Sequence, residues 1–216
     1  MIQAVVFDLD GILIDSEHVW DEVRQQLAEE RGGHWSDNAS RDMMGMSSLE
    51  WSRYMRDVVG LDEKPDEISA EVVRRLEKRY HAELPLIPGA LGAVERLAAR
   101  WPLGLASSSN RELIDLVLAE SGLGRSFQAS VSSEEVARGK PAPDVFLEAA
   151  RRLDVDPTRC AAIEDSENGI HAAKAAGMRT IAIPNPRYPP AKDALEAADV
   201  ILEGIEELTP AVVEPG

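Results

Sequence analysis

The chain has 216 residues, and its 23 Lys and Arg against 39 Asp and Glu give a formal net charge of −16. That length is enough for one large domain, or for a core carrying a small insertion, and it can bury a sizeable apolar core without staples. The acidic balance excludes a nucleic-acid partner and an anionic membrane surface, both of which need a basic face, and no apolar run approaches the ~20 residues of a membrane span.

Residues 1–7 carry no basic segment, and Asp8 follows too early for a secretory signal. The single cysteine, Cys160, cannot close an internal disulfide. Together these predict a cytoplasmic protein kept in reducing conditions.

In chain order, residues 4–7 (Ala-Val-Val-Phe) read as a buried strand. Residues 16–80 then contain no convincing strand. Ser16 is placed to cap a helix running to residue 31, which Gly32-Gly33 ends. Ser47 or Ser48 opens a second helix to residue 59, and a third spans 66–80. From there, short apolar runs alternate with amphipathic segments. The runs are 103–106, 127–131, 161–163, 180–183 and 200–202; the segments are 89–100, 110–121, 143–152, 167–176 and 190–198. This alternation predicts an α/β, doubly wound parallel sheet with right-handed crossovers. The helical stretch after the first strand is either a separate inserted unit or extra helices of one continuous fold.

Three strands end in polar clusters: Asp8-Leu9-Asp10-Gly11, Ser107-Ser108-Ser109-Asn110 and Glu164-Asp165-Ser166. Ligands of open parallel sheets bind beyond such carboxyl ends, so all three clusters point to one crevice. In an extended segment, Asp8 and Asp10 share a face. Carboxylates so close repel unless a cation or a proton relieves them. With Glu164 and Asp165 nearby, the pattern suits a hard divalent cation with oxygen ligands, and Mg2+ is expected. Lys140, in Gly139-Lys140-Pro141-Ala142-Pro143-Asp144, precedes a helix in a rigid segment. Taken alone it is a solvated surface group; among carboxylates it balances charge. Ser107 reads equally as a helix N-cap and as an anion contact.

These residues resemble the haloacid dehalogenase superfamily. Residues 7–16 (Phe-Asp-Leu-Asp-Gly-Ile-Leu-Ile-Asp-Ser) are similar to its first motif, and Ser107 in Leu105-Ala106-Ser107-Ser108-Ser109 to its second. Lys140 in Gly-Lys-Pro-Ala-Pro-Asp resembles the third motif, and Ile163-Glu164-Asp165-Ser166 the fourth. Their order and spacing match over nearly the whole chain. The resemblance implies a Rossmann-like core of residues 1–14 and 82–216 with an inserted helical cap, 15–81. Such caps occur in the branch holding β-phosphoglucomutase and sugar-phosphate phosphatases.

It also implies a mechanism. Asp8 would attack phosphorus and carry the phosphoryl group. Asp10 would serve as general acid, then as general base. Mg2+ would be held by Asp8, the Asp10 backbone carbonyl, Asp165 and Glu164. Ser107, Ser108 and Lys140 would bind the phosphoryl group, and Glu17, near the hinge, would contact substrate. Asp10 favours phosphoryl transfer over dehalogenation, because a sugar alkoxide needs a proton on leaving.

The expected activity is a phosphatase acting on a small phosphorylated, sugar-phosphate-like metabolite. Phosphomutase is the alternative, but the mutase's cap histidine falls on Trp20 and its cap arginine on Ser48. A non-catalytic, metabolite-binding member is the second alternative. A monomer is the default. Trp20 and Trp51 read as packing residues, and 214–216 as a fraying tail.

Overall fold

The computed structural model describes residues 1–214. Six parallel strands form one sheet: β1 (Ala4–Phe7), β2 (Leu103–Ser107), β3 (Phe127–Ser132), β4 (Cys160–Glu164), β5 (Arg179–Ala182) and β6 (Val200–Ile201). The spatial order is β3-β2-β1-β4-β5-β6. The expected doubly wound architecture is present, and each strand bound lies within two residues of the sequence reading.

The period-two geometry of a strand explains why β1 is apolar throughout. Val5 and Phe7 enter the larger core, with α5 (Ala90–Ala98) and α6 (Arg111–Glu120), where Leu97 and Ile114 are fully buried. Ala4 and Val6 face the opposite side. They pack with Phe146 of α7 (Asp144–Arg152) and Ala172 of α8 (Glu167–Ala175). With both faces covered, no position of β1 is left for a polar side chain. Two short helices, α9 (Lys192–Ala197) and α10 (Pro210–Val213), complete the C-terminal region.

The stretch after β1 is helical, as expected: α1 (Glu17–Glu30), α2 (Ala39–Met43), α3 (Ser48–Asp57) and α4 (Pro65–Ala82). Trp51, Met55, Val72 and Leu76 bury its interior. Glu50 accepts the Ser47 N–H at 2.8 Å to start α3, and Pro65 opens α4, where its missing N–H costs nothing. The two chain crossings into this unit run side by side: Asp15 N–H donates to Pro85 O at 2.8 Å, and Ile87 N–H to Leu13 O at 3.0 Å. The helix α2, five residues long, has no counterpart in the sequence reading; it is too short to show a period.

Three local expectations need correction. Ser16 occupies the N-cap position of α1, but its side chain makes no cap hydrogen bond and turns instead to Asp10. Ser107 ends β2, and Asn110 is the N-cap of α6. At the C-terminus, Glu214 is anchored: its carboxylate accepts the Ile2 N–H at 2.7 Å. Residues 215–216 of the expected tail lie outside the described residues.

Candidate active site

The sheet order reverses around β1, with β2 on one side and β4 on the other. A reversal of this kind opens a crevice at the carboxyl ends of the strands. Phe7 is in register with Leu105 and Ile163, so Asp8, Ser107 and Glu164 emerge within two positions of the same level. Topology therefore brings the three polar strand ends together.

Asp8 is 5 % exposed, Asp165 and Lys140 are 4 % exposed, and Glu164 is fully buried. Oxygens of Asp8, Glu164 and Asp165 lie within 4.8 Å of one another, a spacing that suits one shared cation. Lys140 Nζ donates to Asp8 Oδ1 at 2.7 Å and to Glu164 Oε1 at 2.5 Å. Burial pushes the Asp8 carboxyl well above its ordinary value; Lys140 opposes this, while Glu164 and Asp10 push it further up. Burial also pushes Asp165 well up, followed by the charges of Glu164 and Asp8. Burial disfavours the Lys140 ammonium, but Asp8 and Glu164 outweigh it and raise its pKa. One lysine among three buried carboxylates leaves a surplus of negative charge, which a divalent cation would relieve.

The backbone is fitted to this cluster. Gly11 has φ +77°, and a Cβ there would overlap the Asp165 carboxylate. A Cβ at Gly169 would overlap the Glu164 carboxylate. Both glycines let the chain approach the acids closely. Glu164 Oε2 also accepts the backbone N–H groups of Asp165 at 2.9 Å and Ser166 at 3.1 Å, which fixes its orientation.

The Asp10 carboxylate has a different environment. Oδ1 accepts from Ser16 Oγ at 2.5 Å, and Oδ2 from Ser109 Oγ at 2.7 Å. Ser107 Oγ stands 3.4 Å from Oδ2 and accepts the Ser109 N–H at 3.0 Å. Ser107 is fully buried, whereas Ser108 and Ser109 line the cleft. Ser108 Oγ donates to Gly45 O at 3.2 Å, reaching the helical insertion.

Residues of α1, α3 and the 43–46 segment stand opposite these groups. Asp8, Asp10, Lys140 and Asp165 face Glu17, Trp20, Arg24, Gly45, Met46 and Trp51 across one cleft. The free space is about 50 Å³. That is well below the roughly 300–1,000 Å³ of small-molecule pockets. Glu17 does lie in the cleft. Burial and the Asp10 charge raise its pKa to about 7, with Arg24 opposing. Trp20 and Trp51 pack edge to face at 5.8 Å and also form part of the cleft wall. Ser48 does not line it; its hydroxyl donates to Glu134 at 2.7 Å.

Sequence reasoning missed Arg24 and the contacts of the Ser109 and Ser16 hydroxyls with Asp10. A signal for Arg24 was present: it stands four residues after Trp20, one helical turn away on the same face.

Residues 2–177 match the model of the haloacid dehalogenase-like hydrolase family. The chain belongs to that family. It is 35% identical over 215 residues to hexitol phosphatase B of Escherichia coli K12, covering 96% of this chain and 95% of the relative. It is 30% identical to the phosphorylated carbohydrates phosphatase of Thermotoga maritima, covering 96% of each chain. The solved structure of CbbY from Rhodobacter sphaeroides, in complex with phosphate, superposes with a TM-score of 0.84 at 26% identity, over 99% of both chains. The β-phosphoglucomutase of Clostridium difficile shares the fold, with a TM-score of 0.85 at 22% identity, over 99% of this chain and 96% of that one. The chain is thus an enzyme of this hydrolase family, consistent with hydrolysis of a phosphoric monoester. No helix among the described residues is long and apolar enough to cross a membrane.

Proposed function

We propose that the protein is a Mg2+-dependent, cytoplasmic phosphatase of a small sugar-phosphate-like metabolite, acting through an aspartyl phosphate on Asp8. The observation that carries this reading is the pairing of a buried, lysine-held Asp8 with an Asp10 two residues on, in a different environment. Similarity to a hexitol phosphatase and to a phosphorylated-carbohydrate phosphatase supports the substrate class.

Residues 15–81 act as a cap over a core of 1–14 and 82–216; the paired crossings near Ile14 and Leu86 serve as its hinge. The carboxylates of Asp8, Asp165 and Glu164, with the Asp10 carbonyl, would hold the metal. Bound Mg2+ would supply charge neutralisation for the phosphoryl oxygens.

In the first step an Asp8 carboxylate oxygen attacks phosphorus, the bond from phosphorus to the substrate oxygen breaks, and Asp10 gives that oxygen a proton. The alcohol leaves and the phosphoryl group stays on Asp8. In the second step Asp10 takes a proton from water, the water oxygen attacks phosphorus, and the bond to Asp8 breaks. Ser16 and Ser109 orient Asp10 for both transfers. Lys140 orients Asp8 and offsets its charge as the dianionic phosphoryl group arrives. Ser107, Ser108 and Lys140 form the phosphoryl site, with Ser107 acting through the turn it stabilises at Ser109. Closure of the cap excludes bulk water other than the nucleophile.

The test is a panel of phosphomonoesters assayed with Mg2+ and with excess chelator. Phosphate release that needs the metal and disappears in Asp8→Asn supports the reading. Release that survives either change contradicts it.

A further inference from the structure

The phosphoryl chemistry leaves one buried charge of the cleft without a task. Arg24 on α1 is 5 % exposed and lines the same cleft as Asp8 and Asp10. Its guanidinium carbon lies 4.4 Å from the Trp20 ring centre and 4.7 Å from that of Trp51. Its Nε is buried and has no hydrogen-bond partner among the described residues. A buried donor of this kind is costly to leave unpaired. Contact with two indole rings holds the planar group in place at the cleft wall.

The chemistry of a partner follows from what surrounds it. A guanidinium only donates hydrogen bonds, so the missing group must be an acceptor. Glu17 lines the same cleft from the same helix and adds its carboxyl oxygens to the wall. A hydroxyl group both donates and accepts, and so satisfies the two side chains together. A second phosphate fits poorly. Among the described residues the cleft wall carries Asp8, Asp10, Glu17 and Asp165 against Arg24 and Lys140. Lys140 is already tied to Asp8 and Glu164. Arg24 in turn feels the opposing charges of Glu17, Asp21 and Asp10.

We propose that Arg24 and Glu17 form a recognition pair for the uncharged, hydroxyl-bearing tail of the substrate. The enzyme then takes polyol or sugar monophosphates and discriminates against bisphosphates. The inference rests on the phosphatase reading and names the part of the substrate that the cap reads.

Binding by a chain without its nucleophile separates the two claims. Calorimetry on Asp8→Asn with Mg2+ compares hexitol 6-phosphate, hexitol 1,6-bisphosphate and ethyl phosphate, which has no tail. The monophosphate is expected to bind at least about tenfold more tightly than either of the others. Adding Arg24→Met should remove most of that preference over ethyl phosphate, while Arg24→Lys, which keeps the charge but not the fork, restores only part of it. Circular dichroism of each variant checks that the fold is intact; Arg24→Lys carries the comparison if Arg24→Met unfolds. An Asp8→Asn chain that binds hexitol and ethyl phosphates equally overturns the inference. So does an equal loss for both ligands on changing Arg24, and so does tighter binding of the bisphosphate. Turnover by the wild-type chain is scored separately: selective binding without phosphate release overturns the phosphatase reading and leaves the recognition pair standing.

Discussion

Lys140 Nζ stands 2.7 Å from Asp8 Oδ1, and both side chains are buried although 132 positions separate them in the chain. The contact joins the loop before α7 to the end of β1. Among the described residues Lys140 is also the only basic group paired with a cluster that holds Glu164 and Asp165. Removing one partner of a buried ion pair costs about 3–5 kcal/mol, because the other charge stays buried and uncompensated. Lys140→Met should therefore lower stability by about that amount in metal-free buffer, measured by urea unfolding. Added Mg2+ should recover part of the loss.

Like charge in the cluster gives a prediction of opposite sign. Asp165 has its carboxyl pushed well up by burial and by Glu164 and Asp8. An acid whose folded pKa is raised stabilises the fold most below its unfolded value, and that contribution is lost as pH rises through the folded value. Asp165→Asn should therefore unfold at higher urea than wild type in chelator at pH 8. In Mg2+ the order should reverse. Wild type at 100 times its Kd gains about 2.7 kcal/mol, and the variant, lacking a ligand charge, gains little.

Glu17 titrates in a more accessible range. Its pKa is raised from 4.5 to about 7, with burial the main cause. Without metal, the stability it contributes is complete below pH 4.5 and disappears as pH passes 7. Glu17→Gln should match wild type near pH 4.5 and exceed it at pH 8 by on the order of 2 kcal/mol, read from urea midpoints. A variant that loses stability equally at both values would show that packing of Glu17, and not its charge, sets the difference.

The hydroxyls on Asp10 should act on rate. Ser109→Ala removes a 2.7 Å hydrogen bond and leaves Asp10 held by Ser16 alone at short distance. The expected result is a fall in kcat of about tenfold with little change in KM, since a mis-set proton donor affects the transition state and not ground-state binding. A change confined to KM would assign Ser109 to substrate binding instead.

How far these features were readable from the sequence depends on their range along the chain. Asp8, Asp10, Glu164 and Asp165 stood out because each interrupts an apolar run where a strand must end, and the sheet order makes those ends neighbours. The approach of Lys140 to Asp8 was legible only through the resemblance, since nothing local aims a lysine across the sheet. Ser16 was misread because an N-cap position is the usual place for a serine, while its hydroxyl is claimed by Asp10 across the turn. Arg24 was passed over because one arginine on an amphipathic helix reads as solvated. Burial of its charge becomes visible only when Trp51 of α3 joins Trp20 against it. The helix α2 was lost to its length, yet its last residue and the Met44–Met46 turn after it form part of the cleft wall.

The central claim is that phosphorus passes through Asp8. Acid quenching during turnover of a phosphomonoester, followed by mass spectrometry of the peptide containing Asp8, tests it directly. A hydroxylamine-labile phosphoryl group is expected on that peptide in the presence of Mg2+, and none on Asp8→Asn. Undiminished turnover by Asp8→Asn, or a phosphoryl group trapped on another residue, would contradict it.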